Sequence, residues 1–319
     1  MKAAVYEQYG PPERVKILDI NQPIPNKDEV LIKVIASTVN RTDSGFRSAE
    51  YFISRLFSGL LRPKHRVLGC EFAGIVEETG SEVEEFKIGD RVFGFDDQNF
   101  GAHSEYKVIG EKKAISKIPD NISFKEAAPI TEGSHYALES IRAAKIKKGD
   151  RVLVYGATGA IGSAAIQLLK HFKTHVTAVV NTQNVQLIKS VGVDEVIDYL
   201  NEDFTKTDRK YTFIFDAVGK SSFNACKPLL TKNGIYISTE LGKNSENIWY
   251  SIMGLLTWGK KVVFPLPTIN KEDVIFLRDL VEKGEFKPII DREYNLVDIV
   301  EAYRYVETGQ KTGNVLINI

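Results

Sequence analysis

A chain of 319 residues exceeds the usual size of one domain and points to two. Its 42 basic side chains are matched by 42 acidic ones, which leaves no electrostatic footprint for nucleic acid or an anionic membrane. Two cysteines, Cys70 and Cys226, are too few for a disulfide framework or a four-cysteine zinc site.

The opening M-K-A-A-V-Y-E-Q-Y-G has no apolar core of signal-peptide length, so a cytoplasmic protein is expected. Residues 1 to about 120 read as β-rich, with short runs at Val30 to Ala36, Gly74 to Glu77, Arg91 to Gly94 and Tyr106 to Ile109. Pro11-Pro12, Pro23 to Asn26 and Gly89-Asp90 punctuate them. The exception is Ser48 to Leu61, where Tyr51, Phe52, Leu56, Phe57 and Leu60 recur at helical spacing, as the core face of a helix or as a lid.

From about Phe124 the pattern becomes strand–helix alternation, opening with a helical run through Ala127 to Ala144. Apolar strands follow at Arg151 to Tyr155, His175 to Val180, Glu195 to Asp198, Thr212 to Asp216, Gly234 to Ser238 and Lys261 to Phe264. Six strands are what a doubly wound dinucleotide-binding sheet needs. Between the first strand and its helix lies G-A-T-G-A-I-G, Gly156 to Gly162, with a pyrophosphate expected on the amides and dipole of the helix N-terminus. Ile248 to Pro267 is apolar but broken by Gly254, Gly259, Lys260 and Lys261, a poor membrane span. A helix at Lys271 to Lys283 and a strand at Asn314 to Ile319 close the chain. The expected division is 1–123 with 266–319 as one β-rich domain, and 124–265 as the inserted nucleotide-binding domain.

In this order the chain resembles the zinc-independent quinone oxidoreductase branch of the medium-chain dehydrogenase/reductases. The carriers are V-N-R-T-D (Val39 to Asp43), G-C-E-F-A-G (Gly69 to Gly74), G-D-R-V (Gly89 to Val92) and G-A-H-S-E-Y (Gly101 to Tyr106). The glycine turn, V-I-D-Y (Val196 to Tyr199), F-D-A-V-G (Phe215 to Gly219) and the ending K-T-G-N-V-L-I complete the set. The resemblance implies an α/β protein, a GroES-like catalytic domain plus a Rossmann domain, with the active site in the cleft between them. It also implies a homodimer joined edge to edge through the nucleotide-domain sheets, for which Gly259 to Pro267 is the candidate edge.

Against the zinc enzymes of the same superfamily, Asn40 stands at the first cysteine ligand and Cys70 at the histidine of the G-H-E motif. No cysteine lies around Pro129, so no metal is expected. Cofactor-binding residues implied by turn and resemblance together are Gly156, Ala157, Thr158, Gly159, Ala160, Ile161 and Gly162, then Asn181, Thr182, Lys189, Tyr199, Val218, Gly219 and Lys311. The end of the second strand, V-V-N-T-Q-N, lacks the carboxylate that would hold an NAD ribose, which favours NADP(H). Thr182 and Asn184 read as donors to the 2′-phosphate.

Asn40, Asp43 and Tyr51 are the catalytic candidates. Asn40, on a loop, would donate to the oxygen that gains charge, and Asp43, exposed and ionised, would orient its neighbours. Tyr51 would be a proton donor or an aromatic wall. The five histidines show no metal or relay spacing. The function expected is NADPH-dependent hydride transfer to a quinone or α,β-unsaturated carbonyl, with no nucleic-acid or membrane partner. A non-catalytic family member binding RNA or another partner, or a metal-free alcohol/aldehyde reductase, is the alternative.

Overall fold

The computed structural model describes residues 1–49, 55–254 and 258–319. The chain divides into two compact units, Met1–Glu132 with Ile269–Ile319, and Gly133–Thr268.

The first unit opens with the antiparallel pair β1 (Lys2–Val5) and β2 (Lys16–Asp19). The long strand β3 (Glu29–Val39) pairs antiparallel with β4 (Glu71–Thr79) and β6 (Tyr106–Gly110). β4 continues through β5 (Arg91–Phe95) to β7 (Ile115–Lys117). Alternation in these strands sends Val30, Ile32, Val34, Phe72, Val76 and Val92 into one shared core, while Leu31, Ala73 and Phe93 on the opposite face are buried as well. Between β3 and β4 run α1 (Arg41–Ser48) and α2 (Arg55–Ser58).

Of the helix expected from Ser48 to Leu61, residues 50–54 lie outside the described residues, and the described part contains the end of α1 and the short α2. α1 ends at Ser48 because Ala49 turns left-handed at φ 50°, a C-cap geometry that breaks the helical register. After β7 come α3 (Phe124–Ala127), capped by Ser123 with Glu126, and α4 (Glu132–Ala144). α3 packs on β3 and β4, and Thr131 and Glu132 bond to Glu71 of β4. Residues 124–132 thus join the first unit and not the nucleotide-binding unit expected from the alternation.

The second unit is a six-stranded, all-parallel sheet. Its strands are β8 (Arg151–Tyr155), β9 (His175–Val180), β10 (Glu195–Asp198), β11 (Tyr211–Asp216), β12 (Leu230–Ser238) and β13 (Lys261–Val262). Their spatial order, β10-β9-β8-β11-β12-β13, is the 3-2-1-4-5-6 order of a doubly wound dinucleotide sheet. Besides α4 from Gly133 onward, its helices are α5 (Ala160–His171), α6 (Val185–Ser190), α7 (Phe223–Cys226) and α8 (Glu246–Gly254). Leu153, Val179, Ile214 and Tyr236 from four strands share one core cluster, as expected of strands covered on both faces. β13 is shorter than the expected Lys261 to Phe264.

The tail returns to the first unit with α9 (Lys271–Glu282), β14 (Ile290–Asn295), α10 (Ile299–Glu307) and β15 (Asn314–Asn318). β15 pairs antiparallel with β3 and parallel with β14, so the last residues complete the seven-stranded sheet. Among the described residues no helix is long and apolar enough to cross a membrane.

Candidate active site

The glycine turn leaves β8 at Gly156 with φ +75°, where a side chain would also strike Val218 at 2.5 Å. At Gly162 an added Cβ would meet the Gly156 carbonyl at 2.2 Å, so this glycine sets how closely α5 packs on the turn. Gly159 differs. The nearest atom to its missing side chain is the Gly156 carbonyl oxygen at 3.8 Å, and otherwise the space is open. Gly159 is also the N-cap of α5 and offers no capping side chain, so the first-turn amides of Ala160, Ile161 and Gly162 have no intrahelical partner. Ala157 and Thr158 complete the turn. An open cradle with free amides at a helix N-terminus fits the pyrophosphate of a dinucleotide.

The other cofactor candidates of this unit lie at the carboxyl ends of its strands. Asp216, buried at the end of β11, accepts from the amides of Val218 (3.2 Å) and Ser221 (2.8 Å) and from the Tyr236 hydroxyl (3.1 Å). This fixes the Val218-Gly219 corner beside Gly156, with Gly219 at φ +64°. Tyr199 follows β10 and is half exposed, its ring 6.5 Å from that of Tyr155. Lys189 is exposed on α6.

Thr182 and Asn184 are not free donors. Thr182 Oγ1 donates to Asp198 at 2.5 Å, and Asn184 Nδ2 donates to Asn181 Oδ1 at 2.7 Å. Asp198 escaped the sequence reading because it sits on the neighbouring strand, 16 residues downstream of Thr182. Hydrogen bonds from Thr182 and Asn201 hold its carboxyl below the usual range, so an anion stands beside the expected 2′-phosphate region.

In the first unit Asn40 is the N-cap of α1, not a loop residue. Its Oδ1 accepts from the Asp43 amide (2.9 Å), and Asp43 Oδ2 accepts from the Asn40 amide (3.2 Å), a reciprocal capping box. Asn40 Nδ2 also donates to Cys70 Sγ at 3.0 Å. Asp43 is fully buried rather than exposed, and its Oδ1 accepts from the Gly69 amide at 3.0 Å. Burial pushes its carboxyl up to about 7 against the pull of these amides, so it is not simply the ionised group expected. His103 Nε2 donates to the Thr38 carbonyl (2.8 Å), which leaves Nδ1 to accept from the Tyr303 hydroxyl (3.3 Å). Burial lowers His103 to about 4, so it is neutral near neutral pH.

A carboxylate pair behind α1 was also missed, because its partners lie far apart in sequence. Glu71 accepts from Thr38 Oγ1 (2.7 Å), Thr131 N and Oγ1 (both 2.9 Å) and Glu132 N (2.6 Å). Glu132 accepts from Thr42 Oγ1 at 3.0 Å and is pushed up to about 8, by burial first and the Glu71 charge second, with Lys311 opposing. Lys311 donates Nζ to the Gly313 carbonyl at 2.6 Å and is lowered by burial, so its ammonium is engaged within this unit. Tyr51 lies outside the described residues. Among the described residues no group of three or more His, Cys, Asp or Glu side chains could hold a metal ion. The residues at the two ligand positions, Asn40 and Cys70, are bonded to each other, and burial raises the Cys70 thiol well above its ordinary value.

The sheet order and the open turn define a dinucleotide-binding protein of two units. Residues 26–120 match the alcohol dehydrogenase GroES-like domain, and residues 191–317 match the family described as zinc-binding dehydrogenase. A 2-methylene-furan-3-one reductase of Solanum lycopersicum is 32% identical over 100% of this chain and 79% of its own. An Arabidopsis thaliana chloroplastic NADPH-dependent alkenal/one oxidoreductase is 30% identical over 99% of this chain and 79% of its own. The solved quinone oxidoreductase of Coxiella burnetii superposes with a TM-score of 0.88 at 28% identity, covering 100% of this chain and 99% of that one. The chain belongs to the medium-chain dehydrogenase/reductase superfamily, among its quinone oxidoreductases and enone reductases.

Proposed function

We propose that this protein is an NADPH-dependent reductase of quinones or α,β-unsaturated carbonyls that works without a metal. The reading is supported most by one pairing. Relatives over the whole chain are named for enone and quinone reduction, and the glycine turn is open at Gly159 with unpaired amides behind it. Reduced nicotinamide, when bound, supplies a hydride from C4. The protein holds the pyrophosphate charge on the amides of Ala160, Ile161 and Gly162 and shapes the turn through Gly156 and Gly162.

At the acceptor, hydride arriving at a carbon conjugated to oxygen puts negative charge on that oxygen, which hydrogen bonding can stabilise in place of a Lewis acid. Asn40 carries two amide hydrogens and commits one to Cys70 Sγ. Its second is our donor to the developing oxyanion. Asp43 is a positioning residue, holding the Asn40 and Gly69 backbone. The final proton comes from solvent.

For assembly we propose a homodimer through the edge strand β13. Beside it, α8 carries Trp249 (65% exposed) and Met253 (55%), and Trp258 precedes the strand. Apolar groups exposed together on one edge mark an interaction surface. Oxidation of NADPH in the presence of a panel of quinones and enones tests the function. Turnover with at least one conjugated acceptor supports it, and inactivity on the whole panel by a folded, NADPH-binding protein sinks it.

A further inference from the structure

The carboxyl groups of Glu71 and Glu132 are both buried in the first unit, but their surroundings differ. Glu71 accepts four donors, from Thr38 Oγ1, from Thr131 N and Oγ1 and from the Glu132 amide, which is the solvation an ionised carboxylate needs. Glu132 accepts from Thr42 Oγ1 at 3.0 Å and lies in the field of the Glu71 and Asp43 carboxyls. A proton shared by this pair therefore rests on Glu132. Lys311, just before β15, is the cation that opposes these carboxyls, and it faces Asp291 of β14 and Arg41 of α1 in turn.

Thr42 links that proton to the first turn of α1. It stands at the second helical position, with Asn40 as the N-cap, and it is half-buried where Asn40, Asp43 and Glu132 are fully buried. A hydroxyl can accept at a lone pair while it donates, so the bond between Thr42 and Glu132 reverses direction when Glu132 carries the proton.

We propose that Glu132 stores the proton that completes the reduction and that Thr42 passes it to the reduced acceptor. The inference rests on reading the protein as a reductase of conjugated acceptors. Once hydride has arrived, the acceptor is an enolate or a hydroquinone monoanion. Its oxygen takes the Thr42 hydroxyl proton, and Thr42 Oγ1 takes the proton of the Glu132 carboxyl as that O–H bond breaks. No electrons move beyond the hydride pair. The outcome is a neutral enol or hydroquinone and a Glu132 carboxylate, which Lys311 stabilises until solvent returns the proton.

The test compares wild type with Glu132→Gln, Thr42→Val and Thr42→Ser, using 4-deuterated NADPH and a panel of enones. Turnover should fall on the order of 10²-fold in Glu132→Gln and Thr42→Val, as for loss of one general acid, and recover in Thr42→Ser. Wild-type kcat should decline as pH rises through about 8, where Glu132 loses its proton, and this decline should be missing in Glu132→Gln. Deuterium should still reach the β-carbon in every variant, because the hydride step is left in place. Infrared titration of the protein alone should show a protonated carboxyl that ionises near pH 8 and is absent from Glu132→Gln. Full activity in folded Glu132→Gln or Thr42→Val, no recovery in Thr42→Ser, a pH decline that survives in Glu132→Gln, or a Glu132 already ionised at pH 7 would each overturn the relay and leave the reductase reading intact. A wild type that transfers deuterium to no conjugated acceptor would bring down that reading, and the relay with it.

Discussion

The glycine turn of the second unit and the polar cluster of the first solve opposite problems. Around Gly159 the protein leaves backbone donors open and keeps side chains away, so charge is to be met there by amides already in place. Around Glu71 and Asp43 nearly every donor has an internal partner, and the charged groups are buried with shifted proton affinities. The difference teaches that one region is built to receive a ligand and the other to hold a geometry. Substitutions should therefore separate binding from stability.

The largest effect is expected at Glu71. Glu71→Ala strands four buried donors, from Thr38, Thr131 (two) and Glu132, and should cost roughly 3–5 kcal/mol in urea denaturation. A loss below that of an ordinary surface substitution would mean that the cluster does not hold the unit together.

Asn40→Ala should lower turnover by on the order of 10²-fold through the lost oxyanion donor. It should also cost about 1 kcal/mol through the lost helix cap. Asn40→Ser restores a cap but no amide, so it should recover stability and not turnover. Recovery of both would make Asn40 only a cap.

In the turn, Gly162→Ala should cost roughly 1–3 kcal/mol, because its Cβ would press on the Gly156 carbonyl. Gly159→Val, with open space around it, should keep its melting temperature and lose NADPH binding. Equal effects of the two on stability would erase the contrast drawn between these glycines.

Much of the second unit could be read from the sequence because its signals are local. Strand, glycine turn and helix lie within Arg151 to His171, and six apolar runs announced the six strands. Several elements of the first unit were not foreseen, among them β1, β2, β7, β14 and α10, because short or half-exposed strands carry weak alternation. The site there was legible only in part. Asn40 and Asp43 could be picked out, but the burial of Asp43 and the Glu71–Glu132 pair arise from contacts 26 to 61 residues apart that no spacing rule encodes. Asp198 was hidden likewise, one strand over from the Asn181 corner.

A smaller effect comes from pH. Asp43 (about 7) and Glu132 (about 8) bind protons more tightly folded than unfolded, so each stabilises the fold below the ordinary carboxylate range and that contribution is lost as pH rises through its folded value. His103, lowered to about 4, works the other way, adding stability as pH rises from about 4 to 6.5. The two trends oppose each other below about pH 6.5. Above it His103 no longer opposes the carboxyl groups, so the melting temperature should fall from pH 6.5 to 8, and Glu132→Gln should flatten the upper part of that slope. A melting temperature that rises across this window would contradict the assignment.

The smallest effect expected is at the nucleotide's adenosine end. Asp198→Asn removes an exposed charge and should raise NADPH affinity modestly relative to NADH, whereas Asn181→Asp should lower it. Titrations that leave the ratio unchanged in both variants would remove this corner from cofactor choice.

The central claim is hydride transfer to a conjugated acceptor without a metal. The most direct measurement is to dialyse the protein against a chelator, supply 4-deuterated NADPH and an enone, and locate deuterium in the product by mass spectrometry and NMR. The account predicts one deuterium at the β-carbon, at a rate equal to that of undialysed protein. Product lacking deuterium, or a reaction abolished by the chelator and restored by zinc, would contradict it.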